Sequence, residues 1–294
     1  HDLDIVFFIK SLLIQIFSLI DTLIGPSFWL KIYYSIISNG FFSLFLSLIV
    51  ISFFYFFHKK DKINIPFSLI IGLFCVLIAS CIMFSITGMY LQSSFNLGNR
   101  VTLPSSLFVA FILVLLPFSK KYLILVSIII IIPTFGLSQH WKSWNIHQIN
   151  LIKNINNNNE IQKLNEDDIL LITGNKYSLL GPFSHIEFFC QTWILDPIIN
   201  NNNLKKIFVI TSYVQFENNN LVDTKNNEFL ELTKAPFLYD SEKNILKKIK
   251  ISSINELLIL DEFEKRHWIQ TVGNQKLKSL ILYLSPRLEY LFKE

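Results

Sequence analysis

Charged residues are scarce in this chain of 294 residues, since Asp, Glu, Lys and Arg together make up only 16% of it. Ordinary soluble domains are roughly 25% charged, so the composition does not fit a simple water-soluble enzyme. Glycine and proline are also scarce, with nine residues each, which excludes collagen-like chains and flexible linkers. Three cysteines, Cys75, Cys81 and Cys190, are too few for a disulfide framework.

Apolar residues are correspondingly abundant. They form 51% of the chain, the mean hydropathy is +0.44, and phenylalanine alone occurs 28 times. Because the first residue is His1, the sequence predicts a processed protein or a fragment that lacks N-terminal elements. Residues 1–137 carry eight Lys or Arg and four acids, whereas residues 138–294 are neutral. A nucleic-acid partner is not expected, since it would need a basic patch on a folded face.

Long uncharged runs predict a helical membrane region in residues 1–137. A helix needs about 20 apolar residues to cross the hydrocarbon core of a bilayer. The basic loops at residues 59–62 and 120–121 fall on the same side of the membrane, and the positive-inside rule makes that side cytoplasmic. We therefore expect a bacterial cytoplasmic (inner) membrane protein with its C-terminal domain outside the cytoplasm. The four predicted spans are residues 36–57, 65–90, 101–118 and 122–137.

Residues 1–35 allow two interpretations. Lys10 and Asp21 interrupt an apolar stretch and fall on nearly the same helical face. The stretch is either a fifth span whose polar stripe faces other helices or an amphipathic helix in the outer interface. Gly25 and Pro26 end the helix in both cases.

Residues 138–294 predict a small extracytoplasmic α/β domain. The predicted elements are a strand at 168–173, a helix at 183–199, a strand within 206–216 and a hairpin within 236–251 that turns near 241–244. Asparagine occurs 25 times in the chain, and its runs lie between apolar segments, where turns are expected. The sequence has no Asn-x-Ser/Thr sequon, which favours a bacterial source.

Arg100 is the strongest candidate for a binding residue. It lies at the outer end of the predicted span 101–118, where its planar guanidinium group can form paired hydrogen bonds with a lipid-linked phosphate. The neighbouring amides of Asn96 and Asn99 add neutral donors. The alternative is an arginine that anchors the helix end by snorkelling.

Two further sets of polar residues have structural alternatives. Asp2 and Asp4 could hold a divalent metal or supply a catalytic base, or could be a polar N-terminal flank. His140 and His147 are seven residues apart and accompany Trp141 and Trp144, which predicts an interfacial belt, because two histidines make a poor metal site. No metal site or cofactor is otherwise indicated.

The run Asn99-Arg100-Val101-Thr102-Leu103-Pro104, followed by a long apolar stretch, resembles the opening of a late span in bacterial polytopic glycosyltransferases of the GT-C type. Val101 stands where that family usually has tyrosine. The layout of spans followed by an extracytoplasmic α/β tail is also similar. The resemblance implies a lipid-phosphate-linked sugar as donor, Arg100 as the phosphate contact, and an acidic base in the first outer loop, which is either missing here or reduced to Asp2 and Asp4.

Two functions follow from these features. One is an enzyme of surface-glycan assembly that transfers a sugar from a lipid-phosphate donor. The other is a non-catalytic membrane protein whose outer domain binds a partner or ligand. A transporter is less favoured, because the predicted spans 36–57 and 65–90 carry no charge.

Overall fold

The computed structural model of the chain describes residues 5–57, 66–87, 94–95, 102–115, 119–165, 167–174, 177–181, 183–188, 191–199, 206–211, 214–224, 228–260, 269–270, 279–280, 282–283 and 292–293. The chain divides into two compact units. We call the first the helical unit; it consists of His1–Trp141, Leu179–His185 and Arg266–Glu294. We call the second the sheet unit; it consists of Lys142–Ser178 and Ile186–Lys265.

Apolar helices dominate the first half of the chain. They are α1 (Ile5–Leu23), α2 (Pro26–Ile37), α3 (Phe41–Phe57), α4 (Phe67–Thr87), α5 (Leu103–Leu115) and α6 (Lys120–Asn157). Among the described residues, three helical stretches are long and apolar enough to cross a membrane: Ile5–Ile37, Phe67–Ile86 and Lys120–Asn157. The helices α3 and α5 are apolar but shorter. These stretches indicate a membrane protein, as the composition predicts, whereas four or five crossings stay a prediction.

Two helices have bounds that differ from the predicted spans. The uncharged run 36–57 is not one helix, because α2 ends at Ile37 and α3 begins at Phe41. The Asn39 side-chain amide donates to the carbonyls of Ser35 and Ile36, both at 3.3 Å, and so satisfies acceptors at the end of α2. The helix α6 continues past residue 137 to Asn157, since residues 144, 151 and 155 form a buried stripe at helical spacing.

The break between α1 and α2 has a local cause. Gly25 precedes Pro26, the first residue of α2, and the Asp21 carboxylate accepts the backbone N–H of Ser27 at 3.1 Å. Asp21 thus acts as the cap that Gly25 lacks. A Cβ at Gly25 would lie 2.5 Å from the Asp21 Cα, so the turn requires glycine. The charge of Asp21 is therefore explained by helix capping.

The helices of the helical unit pack through small and polar residues. The helix α1 packs against α4, and its buried residues are Ser11, Gln15 and Ser18, whereas Lys10 of the predicted polar stripe is exposed. A Cβ at Gly136 of α6 would lie only 1.7 Å from the Ser35 carbonyl oxygen of α2, so the two helix backbones are in direct contact.

The sheet unit contains a four-stranded sheet in the order β4–β1–β8–β9. The strand β1 is parallel to β4 and β8, and β9 pairs antiparallel with β8. A second sheet is antiparallel, with the order β5–β6–β7. The strands are β1 (Ile169–Thr173), β2 (Tyr177–Leu180), β3 (Phe183–Glu187), β4 (Lys206–Val209), β5 (Val214–Glu217), β6 (Asn220–Asp223), β7 (Glu228–Glu231), β8 (Phe237–Asp240), β9 (Ile245–Lys248), β10 (Ile269–Gln270) and β11 (Phe292–Lys293). The short helices are α7 (Asn159–Gln162), α8 (Thr192–Ile199) and α9 (Ile254–Leu260).

The strand β1 is the centre of the sheet unit and is buried on both faces. Leu170 and Ile172 pack into a cluster with residues of α6 and α8. Ile169 and Leu171, which alternate with them, pack into a second cluster with residues of β5–β7 and α9. The sheet unit is thus an α/β layer structure, which confirms the predicted α/β class of this region.

Most predicted elements of this region exist, with one exception. The strand at 168–173, the strand that begins at Lys206 and the hairpin of β8 and β9 are confirmed. The predicted helix at 183–199 is wrong in its first part, because residues 183–187 form β3 and pair with β2. The Ser178 hydroxyl accepts the backbone N–H of Ile186 at 2.9 Å across these two strands.

The asparagine run at 218–220 forms a turn, as the sequence predicts. Asn218 and Asn219 connect β5 to β6 with positive φ angles of 51° and 64°, a conformation that asparagine tolerates better than most residues. Asn158 caps α7 by accepting the N–H groups of Glu160 and Ile161.

Candidate functional site

The residues that the sequence singles out for catalysis and binding, Asp2, Asp4, Asn96, Asn99 and Arg100, lie outside the described residues. Their roles stay predictions. In the chain, Asn96 follows Ser94 and Phe95 directly, and these two residues are described. They belong to a group of buried side chains in the helical unit.

The connection between β2 and β3 supplies one side of this group. Leu180 is fully buried and packs with Tyr34 and Phe95. Gly181 has a φ of +64°, and a Cβ there would lie about 2.5 Å from the Tyr34 ring carbons. Glycine is therefore required both by the backbone conformation and by the close approach to α2.

His185, in β3, is the most buried polar residue of the group, with 1% of its surface exposed. Its ring centroid lies 5.6 Å from that of His140, 5.9 Å from that of Trp141 and 6.3 Å from that of Phe95. Within the described part of the chain, neither ring nitrogen of His185 has a hydrogen-bond partner. Such an unsatisfied buried group is uncommon in native proteins and calls for a physical explanation.

Lys31 brings a positive charge to the same place. It lies on α2, and its ammonium group donates to the backbone carbonyl of Ser94. We call the six residues that meet here the histidine cluster: Lys31, Ser94, Phe95, His140, Trp141 and His185.

Burial and the basic neighbours in the histidine cluster all disfavour the charged form of His185. Burial lowers the pKa of His185 to about 3, and the neighbouring Lys31 and His140 lower it in the same direction. His185 is therefore a neutral imidazole at physiological pH, with one N–H donor and one acceptor nitrogen. The Lys31 ammonium supplies the positive charge of the cluster.

One edge of the cluster lies at the surface, because Trp141 is 40% exposed and His140 is half-buried, whereas His185 is 1% exposed.

The interfacial belt predicted after residue 137 stays a prediction. Trp141 is exposed, but Trp144 is buried at 9% exposure, and its ring lies against that of His147 with centroids 4.7 Å apart. No group of three or more His, Cys, Asp or Glu side chains suited to a metal ion occurs among the described residues.

Sequence reasoning missed Lys31. One signal was present in the sequence, because Lys31 is a lone charge in the stretch from Gly25 to Phe57. A lone lysine in a long apolar stretch marks a candidate functional site. His185 carried no comparable signal, since only the tertiary fold brings it to His140.

No protein-family model matches the chain, and it matches no curated protein and no solved structure.

Proposed function

We propose that this protein binds the phosphate group of a membrane lipid at the histidine cluster. The observation that carries the proposal is His185, a buried imidazole with unpartnered nitrogens beside the Lys31 ammonium. A phosphate offers acceptor oxygens for both groups, and hydrogen bonds to charged partners contribute about 1.5–3 kcal/mol each.

The donors of the cluster match a phosphate in number and type. The Lys31 ammonium has three N–H donors, and the Ser94 carbonyl accepts one of them. The remaining donors and the N–H of neutral His185 can each face a phosphate oxygen. Trp141, on the exposed edge, offers an apolar ring to the rest of the ligand.

A lipid is the favoured source of the phosphate. Lys31 and His140 lie on α2 and α6, which belong to stretches long and apolar enough to cross a membrane. A ligand with an acyl or prenyl chain can therefore keep its chain in the bilayer while its headgroup reaches the cluster.

The finer proposal is that the lipid carries a sugar and that the protein takes part in surface-glycan assembly as a glycosyltransferase. It rests on the resemblance of residues 99–104 to the GT-C type and on the predicted phosphate contacts Arg100, Asn96 and Asn99. Polyprenyl phosphate release from a polyprenyl phosphate sugar by the reconstituted protein would support transfer. Binding without release would favour the non-catalytic alternative.

The binding proposal is tested with the full chain in lipid nanodiscs and a fluorescent short-chain polyprenyl phosphate, with the matching polyprenol as the neutral ligand. We expect at least tenfold tighter binding of the phosphate form, which corresponds to about 1.4 kcal/mol. Lys31→Gln and His185→Gln should remove most of this preference. His147→Gln is the matched control, because His147 is not part of the cluster, and it should bind like the wild type. Equal binding of the phosphate and the alcohol would refute the proposal.

The proposed placement in a bacterial cytoplasmic membrane, with the sheet unit outside, needs its own experiment. Single cysteines replace Lys60 or Glu242 in a cysteine-free background and are probed in whole cells with a membrane-impermeant thiol reagent. We expect labelling at position 242 and protection at position 60. The reverse pattern would show that the orientation is inverted.

A further inference from the structure

We infer that phosphate binding at the histidine cluster is coupled to the uptake of one proton by His185. In the empty site His185 is a neutral imidazole, and in the complex it is an imidazolium that donates to the phosphate. This inference rests on the proposed function, and it adds that the affinity of the site is set by pH.

The geometry keeps His185 neutral when the site is empty. Its side chain is 1% exposed, so water cannot stabilise the charged form. The groups that face it across the cluster are His140 and Trp141 on α6 and Phe95 ahead of α5, and Lys31 on α2 acts on it through its charge. Within the described part of the chain, Tyr34 on α2 is a further titratable residue nearby, and it lies against Gly181. The charged groups that act on His185 among the described residues are thus basic, which agrees with its pKa of about 3.

A bound phosphate reverses this balance. Its negative charge lies between Lys31 and the imidazoles and favours the charged form of His185. The proton comes from solvent along the exposed Trp141 edge, adds to the acceptor nitrogen of His185 and leaves when the ligand dissociates. Both imidazole nitrogens then carry a hydrogen, and the N–H that faces the phosphate becomes a charge-assisted donor.

The consequence is a pH-dependent affinity with a defined sign. The complex holds one proton more than the empty protein, so lowering the pH strengthens binding. Between the pKa values of His185 in the empty and the occupied site, the affinity should increase up to tenfold per pH unit. Above the higher of these two pKa values the affinity should not depend on pH.

The experiment is calorimetry on the full chain in nanodiscs, with a short-chain polyprenyl phosphoryl glucose as the probe. This phosphodiester keeps a single negative charge between pH 4.5 and 8, so the ligand itself takes up no proton. Titrations at pH 5.5 in two buffers with different ionisation enthalpies give the number of protons taken up. We expect close to one proton for the wild type and none for His185→Gln, which should bind more weakly and without pH dependence.

The control variant is His140→Gln, since His140 is the other imidazole that could take the proton. It should retain the proton uptake. Loss of the uptake in His140→Gln but not in His185→Gln would assign the proton to His140 and overturn the inference. Binding by the wild type with no proton uptake would also overturn it while the proposed function stands. If the wild type binds neither probe at any pH between 4.5 and 8, the proposed function itself fails. The wild-type proton count decides the inference even if His185→Gln does not fold.

Discussion

The helical unit and the sheet unit bury opposite kinds of residue. In the helical unit, Gln15, Ser47 and Ser85 are fully buried, while Phe41 is 90% and Phe56 is 75% exposed. In the sheet unit, the fully buried residues are mainly leucine and isoleucine, and they include Leu170, Leu171 and Ile172 of the central strand β1.

The difference follows from the solvent around each unit. Lipid chains are as apolar as leucine, so burying leucine between membrane helices gains little, and helices associate through close contact and interhelical hydrogen bonds. In water, removal of apolar surface is the main favourable contribution to folding. The contrast therefore supports placement of the helical unit in lipid and of the sheet unit in water, and each prediction below tests one side of it.

The largest effect is expected at the centre of β1. Leu171 is fully buried, and Leu171→Ala should destabilise the sheet unit by about 2–5 kcal/mol, because it removes apolar contacts and leaves a cavity. Hydrogen exchange of the full chain measures the effect, and faster exchange should be confined to the sheet unit. Ile245→Ala, at a position that is 51% exposed, is the control and should change exchange little. Equal effects at the two positions would contradict the proposed core.

The sequence predicts the strands of the sheet unit better than the contacts between helices in the helical unit. The strand β1 and the β8–β9 hairpin follow from apolar runs and turn residues, which are local signals. The strand β3 was misassigned because Phe183–Glu187 pairs with β2, and no local signal in its five residues distinguishes a strand from the start of a helix. Helix contacts were not predictable, because Gly136 and Ser35 lie far apart in the sequence.

The histidine cluster shows the same limit. Its six residues come from four separate parts of the chain, and no spacing in the sequence connects Lys31, His140 and His185. Arg100 was predicted from its place at the end of a span, which is a local signal. A binding site assembled by tertiary contacts leaves at most single unusual residues in the sequence, and Lys31 is such a residue.

A smaller effect is expected where two helices touch. Gly136→Ala should destabilise the helical unit by about 1–3 kcal/mol, because the new methyl group would overlap the Ser35 carbonyl and force α2 and α6 apart. Thermal unfolding in detergent, followed by size-exclusion chromatography, measures the change. Gly72→Ala is the matched control, since nothing lies within 4 Å of a Cβ at that glycine of α4. If Gly136→Ala is as stable as Gly72→Ala, the two helices are not in backbone contact.

The cap at the start of α2 is expected to contribute less. Asp21→Ala removes the acceptor for the Ser27 N–H, and capping losses of this kind cost about 0.5–2 kcal/mol. Asp21→Asn keeps an acceptor oxygen and should lose less. The same thermal assay applies, with Ser52→Ala as the control, because the Ser52 hydroxyl only bonds the Leu48 carbonyl within its own helix. An unchanged unfolding temperature for Asp21→Ala would show that the charge at position 21 serves another purpose.

The smallest effects are expected at two asparagines of the sheet unit. Substitution by alanine should lower the stability of the unit at one position and raise it at the other. Asn219 has a φ of 64° in the β5–β6 turn, and alanine resists that conformation, so Asn219→Ala should destabilise the unit by about 1 kcal/mol. Asn156 is exposed within α6, and alanine is the better helix former, so Asn156→Ala should stabilise it by about 0.5 kcal/mol. Asn219→Gly should not destabilise the unit, because glycine adopts positive φ freely. The measurement is the rate of limited proteolysis of the full chain. If Asn219 is needed for the turn, Asn219→Ala should be cleaved faster than the wild type and Asn156→Ala more slowly. Equal rates for the two variants would show that Asn219 is not needed for its backbone conformation.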